Sequence, residues 1–237
     1  MAKYYRERIG ELNCVLNQCN STPEKVVILC HGFGAPGTDL VPIGDEILTR
    51  HPGLDGTVQF IFPAAPVEMD FGEDSRAWWP ISMSQFETLA EPGGEKVIAN
   101  FVPDELPDCH AHLVSIIQHV CSTYEIEPKN VFVGGFSQGA MLTTDVFLRS
   151  GLELGGLIVW SGTLINQAAW NEAIEQNRPG RVVQSHGLLD PVLSFPGATA
   201  LRNLLQKKHH VDFVSFQGYH QIPPQAIELA AKLIEGV

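Results

Sequence analysis

Apolar residues along this chain fall into short unbroken runs, separated by stretches whose pattern repeats every three or four residues. The runs are VVILC (26–30), VQFIF (58–62), VFVGG (131–135), GLIVW (156–160), RVVQS (181–185) and VDFVSF (211–216). They are rich in β-branched and aromatic residues and bounded by Gly, Pro, Asn or His, which predicts strands. Most are apolar at both alternating sets of positions, as expected when both faces of a parallel sheet are covered. ELNCVLNQC (11–19) reads as an outer antiparallel strand or hairpin arm.

The intervening stretches predict helices. In 39–50, Leu40, Ile43, Ile47 and Leu48 fall near one face, with Asp39 placed to cap the N-terminus. Residues 104–124 put Leu106, Leu113, Ile116, Ile117 and Val120 at helical spacing, and Gln138 to Leu148 follows VFVGG directly. Residues 197–208 and 224–235 are amphipathic, the last opened by Pro223 and Pro224. Alternating strands and helices imply βαβ units, a mainly parallel sheet and one α/β domain over 1–237. Residues 82–103, with Pro92-Gly93-Gly94, fit no strand. They are expected to form an insertion that is either a pocket wall or lid, or plain surface.

Composition narrows the function. The chain has 237 residues, 44% of them hydrophobic and 18% charged, which suits a globular domain. Its formal net charge of −12 argues against a nucleic-acid partner and against docking on anionic lipid. No apolar run approaches the roughly 20 residues of a membrane helix, so no stable membrane insertion is expected. The N-terminus is charged, and five scattered cysteines suggest reduced thiols and a cytoplasmic protein. The Cys14/Cys19 and His110/His112 pairs lack further ligands at a recognisable spacing, so no metal site is expected.

The candidate chemistry lies in VFVGGFSQGAML (131–142), where GFSQG matches G-x-S-x-G between a strand and a helix. At such a corner Ser137 is either a turn residue or a nucleophile. The strand before it and the helix after it favour a nucleophile elbow, with Gly135 and Gly139 small because strand and helix approach closely. A serine nucleophile needs a histidine base and an acid, in the order Ser, acid, His along this kind of fold. Four histidines lie downstream. His209 and His210, in polar KKHHVD, read as solvated. His186 and His220 both follow strands, at the sheet edge where α/β sites are built. Asp190 shares the loop of His186, so Asp190 is expected as acid, His220 as base and His186 as a structural residue bonding backbone. Asp212 opens a strand at the wrong end of the sheet, and Asp145 and Glu153 point elsewhere. The oxyanion donors are expected to be the backbone N–H groups of Gln138 and, in glycine-rich CHGFGAPG (30–37), of Phe33. Met69 and Met141 read as core.

Together, HGFGAPGTDL, PAAPVEM…SRAWWPI, GGFSQGAML, SHGLLDPVL and GYHQIP occur in an order that resembles the acyl-protein thioesterase and carboxylesterase family of α/β-hydrolases. The resemblance runs from Val26 to the end. It implies an α/β-hydrolase fold without a large cap domain, cleavage of carboxylic esters or thioesters, no cofactor and a homodimer. It also implies a triad on Ser137, Asp190 and His220, with oxyanion donors on Phe33 and Gln138. Three features depart from the family pattern and bear on the acyl pocket: Phe33 stands where leucine is usual, Ala35 where an acid is frequent, and Trp78-Trp79-Pro80 where the family has a W-aromatic-D motif. Trp78 and Trp79 are candidates either for substrate contact or for core packing. The expected activity is that of a serine hydrolase. The alternatives are a lysophospholipase acting at a lipid surface and a catalytically silent binding protein.

Overall fold

All six apolar runs are strands. The computed structural model of the chain describes residues 3–19, 21–70, 72–82, 84–85 and 93–236. Its strands are β1 (Tyr4–Ile9), β2 (Leu12–Asn17), β3 (Lys25–Cys30), β4 (Val58–Pro63), β5 (Val67–Glu68), β6 (Arg76–Ala77), β7 (Val131–Phe136), β8 (Gly156–Trp160), β9 (Arg181–Gly187) and β10 (His210–Phe216). Eight of them form one sheet in the order β1-β2-β4-β3-β7-β8-β9-β10, and β5 pairs with β6 separately. From β4 to β10 every neighbouring pair is parallel, whereas β1 and β2 add on antiparallel at one edge. This is the α/β-hydrolase architecture, without a large cap among the described residues.

Helices α1 (Val41–Arg50) and α7 (Pro224–Glu235) cover one face of the sheet. Helices α2 (Gly94–Ala99), α3 (Leu106–Tyr124), α4 (Gln138–Arg149), α5 (Gln167–Gln176) and α6 (Phe195–Leu205) lie on the other. Successive strand residues alternate between these layers. Val27 and Leu29 face α1 and α7, whereas Val26 and Ile28 face α3 and α4. Two-sided burial is why the inner strands are mostly apolar.

Two expectations change, and a third gains detail. Asp39 does not cap α1: the N-cap position is Leu40, and no side-chain oxygen accepts a bond there. The preceding residues form a turn instead, in which the Asp39 N–H donates to Pro36 O and the Val41 N–H to Thr38 O. His209 is buried rather than solvated. Its Nδ1 accepts from the Gly180 N–H at 3.1 Å and its ring edge meets Phe147, while His210 is exposed as expected. Asp145 points away from Ser137, as expected, and into the protein: its side chain is fully buried among α3, α4 and α5. It accepts from His110 Nδ1 at 2.7 Å, Trp170 Nε1 at 2.7 Å and Arg149 Nη1 at 3.0 Å. Burial would raise the Asp145 pKa, but these donors outweigh it and hold the carboxyl below its ordinary value.

Within 82–103 the described part includes α2, whose Ile98 and Ala99 are buried, while residues 83 and 86–92 lie outside the described residues. No helix among the described residues is long and apolar enough to cross a membrane.

Candidate active site

Strand β7 runs through the middle of the sheet and ends where α4 begins, with Ser137 alone at the corner. Its backbone has φ 54° and ψ −117°, a conformation that L-residues avoid. Neighbours hold it there: the Ser137 N–H donates to Trp160 O at 2.9 Å, and Ser137 O accepts from Ala140 and Met141 N–H. A Cβ on Gly135 or Gly139 would collide with the Cys30 carbonyl at the end of β3. The glycine spacing of the motif therefore records the close approach of β3 to the elbow.

Asp190 lies on the loop after β9 and His220 on the loop after β10. His220 Nδ1 donates to Asp190 Oδ2 at 2.7 Å. That bond places the proton on Nδ1 and leaves Nε2 as an acceptor, the form a general base requires. Asp190 Oδ1 accepts from the Val192 and Leu193 N–H groups at 2.8 and 2.9 Å. Burial pushes the Asp190 pKa up, but the bonds from His220, Leu193 and Val192 outweigh it and keep the carboxyl below its usual value. The His220 ring packs 4.7 Å from the ring of Phe136, the residue before the serine. His186 is fully buried, bonds Leu193 O at 2.8 Å through Nε2, and lies 3.3 Å from Asp190 Oδ2. It bonds backbone as expected, although it sits on β9 itself.

The loop after β3 forms the opposite wall and is tied down by the 64–78 segment. The Gly34 N–H donates to Arg76 O, the Arg76 N–H to Ala35 O, and Ser75 Oγ to Gly34 O. His31 Nε2 accepts from the Ala65 N–H at 3.1 Å, so its proton lies on Nδ1 and points to Gly32 O at 2.8 Å. Burial pushes the His31 pKa down to about 4, which keeps this tautomer neutral. Sequence reasoning missed these supports, because Ser75, Arg76 and His31 act through backbone bonds that leave no spacing signature.

Ser137, Gln138, Phe33 and His220 all border one cleft of about 250 Å³, with Gly32, Ala35, Asp39, Ile81, Phe136, Met141, Val192 and Leu193. Gln138 opens α4, where backbone N–H groups have no partner within the helix. Trp78 and Trp79 are not among the lining residues; both are buried in the core. They touch the site through the Gln138 side chain, whose Oε1 accepts from the Trp78 N–H at 2.9 Å and whose Nε2 donates to Trp79 O at 2.8 Å. Trp78 Nε1 also donates to His31 O. The pair thus joins the loop after β3 to the first turn of α4.

Residues 13–237 match the phospholipase/carboxylesterase family model. Acyl-protein thioesterase 1 of Kluyveromyces lactis is 28% identical over 219 residues, covering 88% of each chain. An acyl-protein thioesterase 1 homolog of Dictyostelium discoideum is 27% identical, over 90% of this chain and 91% of its own. Among solved structures, esterase PE8 superposes with a TM-score of 0.73 at 23% identity, covering 94% of this chain and 97% of its own, a likeness of fold.

Proposed function

Since the chain belongs to the phospholipase/carboxylesterase family, and is accordingly an esterase or thioesterase, we propose that it works through an acyl-enzyme formed on Ser137. One observation carries this reading: a serine in left-handed backbone geometry borders the same cleft as a histidine already paired to a buried carboxylate. In the proposed cycle, His220 Nε2 takes the Ser137 proton as Oγ attacks the carbonyl carbon. The Phe33 and Gln138 N–H groups receive the developing oxyanion. His220 then protonates the leaving alcohol or thiol as the tetrahedral intermediate collapses. In the second half it activates a water that releases the acid. Asp190 keeps the proton on His220 Nδ1 and stabilises the imidazolium, without itself becoming protonated.

The test is a rate series on p-nitrophenyl esters of increasing acyl length, with wild type and Ser137→Ala side by side. The variant should lose on the order of 10⁴–10⁶-fold in kcat, and a serine-directed fluorophosphonate should label only the wild type. Near-full activity in the variant would end the assignment. A lysophospholipid belongs in the same series. Leu188, Leu189 and Tyr219 are exposed apolar side chains on the loops that carry Asp190 and His220, which favours a second reading, a lysophospholipase working at a lipid surface. That reading requires a sharp rise in rate above the substrate's micelle point.

A further inference from the structure

Asp39 stands just before the first turn of α1, where the helix dipole favours a carboxylate, but its side chain supplies no cap to that helix. It neither caps α1 nor forms an ion pair, and desolvation is the only influence on its carboxyl among the described residues. Its side chain is solvent-exposed, yet the atoms crowding it raise its pKa. It borders the cleft of Ser137, where His220 is the other ionisable side chain among the described lining residues.

A carboxylate bordering the cleft acts in opposite senses on the two charges the proposed cycle creates, disfavouring the oxyanion and favouring the His220 imidazolium. Its action on a positive charge carried by the substrate is attractive, with no such offset. Phe33 lines the cleft from the same loop, and aromatic faces attract ammonium groups. The net charge of −12 would in addition steer cations toward the protein.

We propose that Asp39 is a specificity-determining residue that selects esters or thioesters bearing an ammonium group. The inference rests on Ser137 being the nucleophile of this cleft. It concerns which substrate is preferred, not how the bond is broken.

Two matched substrate pairs test it. In the first, choline butyrate is compared with 3,3-dimethylbutyl butyrate, which has the same shape without the charge on the alcohol side. In the second, p-nitrophenyl esters of trimethylammonio-ended and tert-butyl-ended hexanoate place the charge on the acyl side. In at least one pair the cationic member should have the higher kcat/KM by about tenfold at low salt, the order expected of a partly screened charge pair. Added salt should shrink the preference. Asp39→Asn should bring the ratio near one, and Asp39→Lys should invert it. The pair that responds tells which side of the scissile bond faces Asp39.

Ratios near one in both pairs for the wild type would overturn the inference, as would a preference that survives Asp39→Asn. A fall in thermal stability with an unchanged ratio would also overturn it, assigning Asp39 only to the dipole of α1. Turnover of the neutral esters by wild type but not by Ser137→Ala keeps the two readings separable. If Ser137→Ala still turns them over, the nucleophile assignment fails. If it does not, and no charge preference appears, only the Asp39 inference fails.

Discussion

Asp190 and Asp145 are near-twins in local geometry. Each side chain is fully buried, each accepts a bond from a histidine Nδ1 at 2.7 Å, and each has its pKa held below the ordinary value by its donors. Their remaining partners differ. Asp190 is completed by two backbone N–H groups on a loop, and its histidine borders the serine's cleft. Asp145 is completed by Arg149 one turn along α4 and by Trp170, and it fastens three helices together. A guanidinium neutralises Asp145 permanently, whereas in the proposed cycle the charge of Asp190 is left to answer a histidine that gains a proton during turnover. An aspartate–histidine pair is therefore no signature of catalysis. What matters is what else holds the carboxylate and what the histidine faces.

The comparison breaks most sharply in rate. Asp190→Asn should lower kcat by about 10⁴-fold, because it no longer enforces the right tautomer of His220, while thermal unfolding shows a folded protein. Asp145→Ala should do the reverse. Removing one partner from a buried ion pair costs about 3–5 kcal/mol, read as a fall in Tm of roughly 6–20 °C. Activity per folded molecule should stay within a few-fold. Asp145→Asn, which keeps the shape, should give a smaller drop in the same direction. A large loss of kcat in folded Asp145→Asn would erase the distinction.

A smaller effect sharpens it. Gln138→Met keeps the volume but leaves the Trp78 N–H and Trp79 carbonyl without their partner, a loss of about 1–3 kcal/mol. If the side chain aims the first turn of α4, the loss should fall on kcat rather than KM, and a boronic acid inhibitor should weaken in parallel. Gln138→Glu, which keeps the acceptor for the Trp78 N–H, should recover part of the rate. The smallest difference is expected on an acid ladder, where the two aspartates should behave alike. A folded pKa below the unfolded value contributes stability above about pH 4, and that contribution is lost as the pH falls through the folded pKa. The gap in urea midpoint between wild type and either Asp→Asn variant should therefore be widest at neutral pH and close toward pH 3.

Much of this was legible in the chain, for physical reasons. Inner strands buried on both faces are mostly apolar, so five of the six runs stood out on that ground, β10 stood out at the sheet edge by its β-branched and aromatic residues, and the elbow stood out because Gly135 and Gly139 face the Cys30 carbonyl. Strand β1 was missed because YYRERI lies at the sheet edge, mostly in solvent, where charged side chains are tolerated and guard against edge pairing. Helix α5 buries only Trp170 and Ile174, too few apolar positions to show a period. Asp39 was read as a cap from its type and place, but the turn bond from the Asp39 N–H to Pro36 O starts the helix without the side chain. The placement of the two tryptophans depends on what Gln138 touches some 60 residues away in sequence, a relation that no local pattern carries.

The order of strands in the sheet also bears on how the molecule comes to life during synthesis. In the proposed cycle the nucleophile sits at the end of β7, the acid after β9 and the base only after β10. A nascent chain paused before β10 would hold a serine at its corner with nothing to take its proton. The site is thus completed last, by the loop that joins β10 to α7, and any product cut short upstream of that loop would be chemically mute.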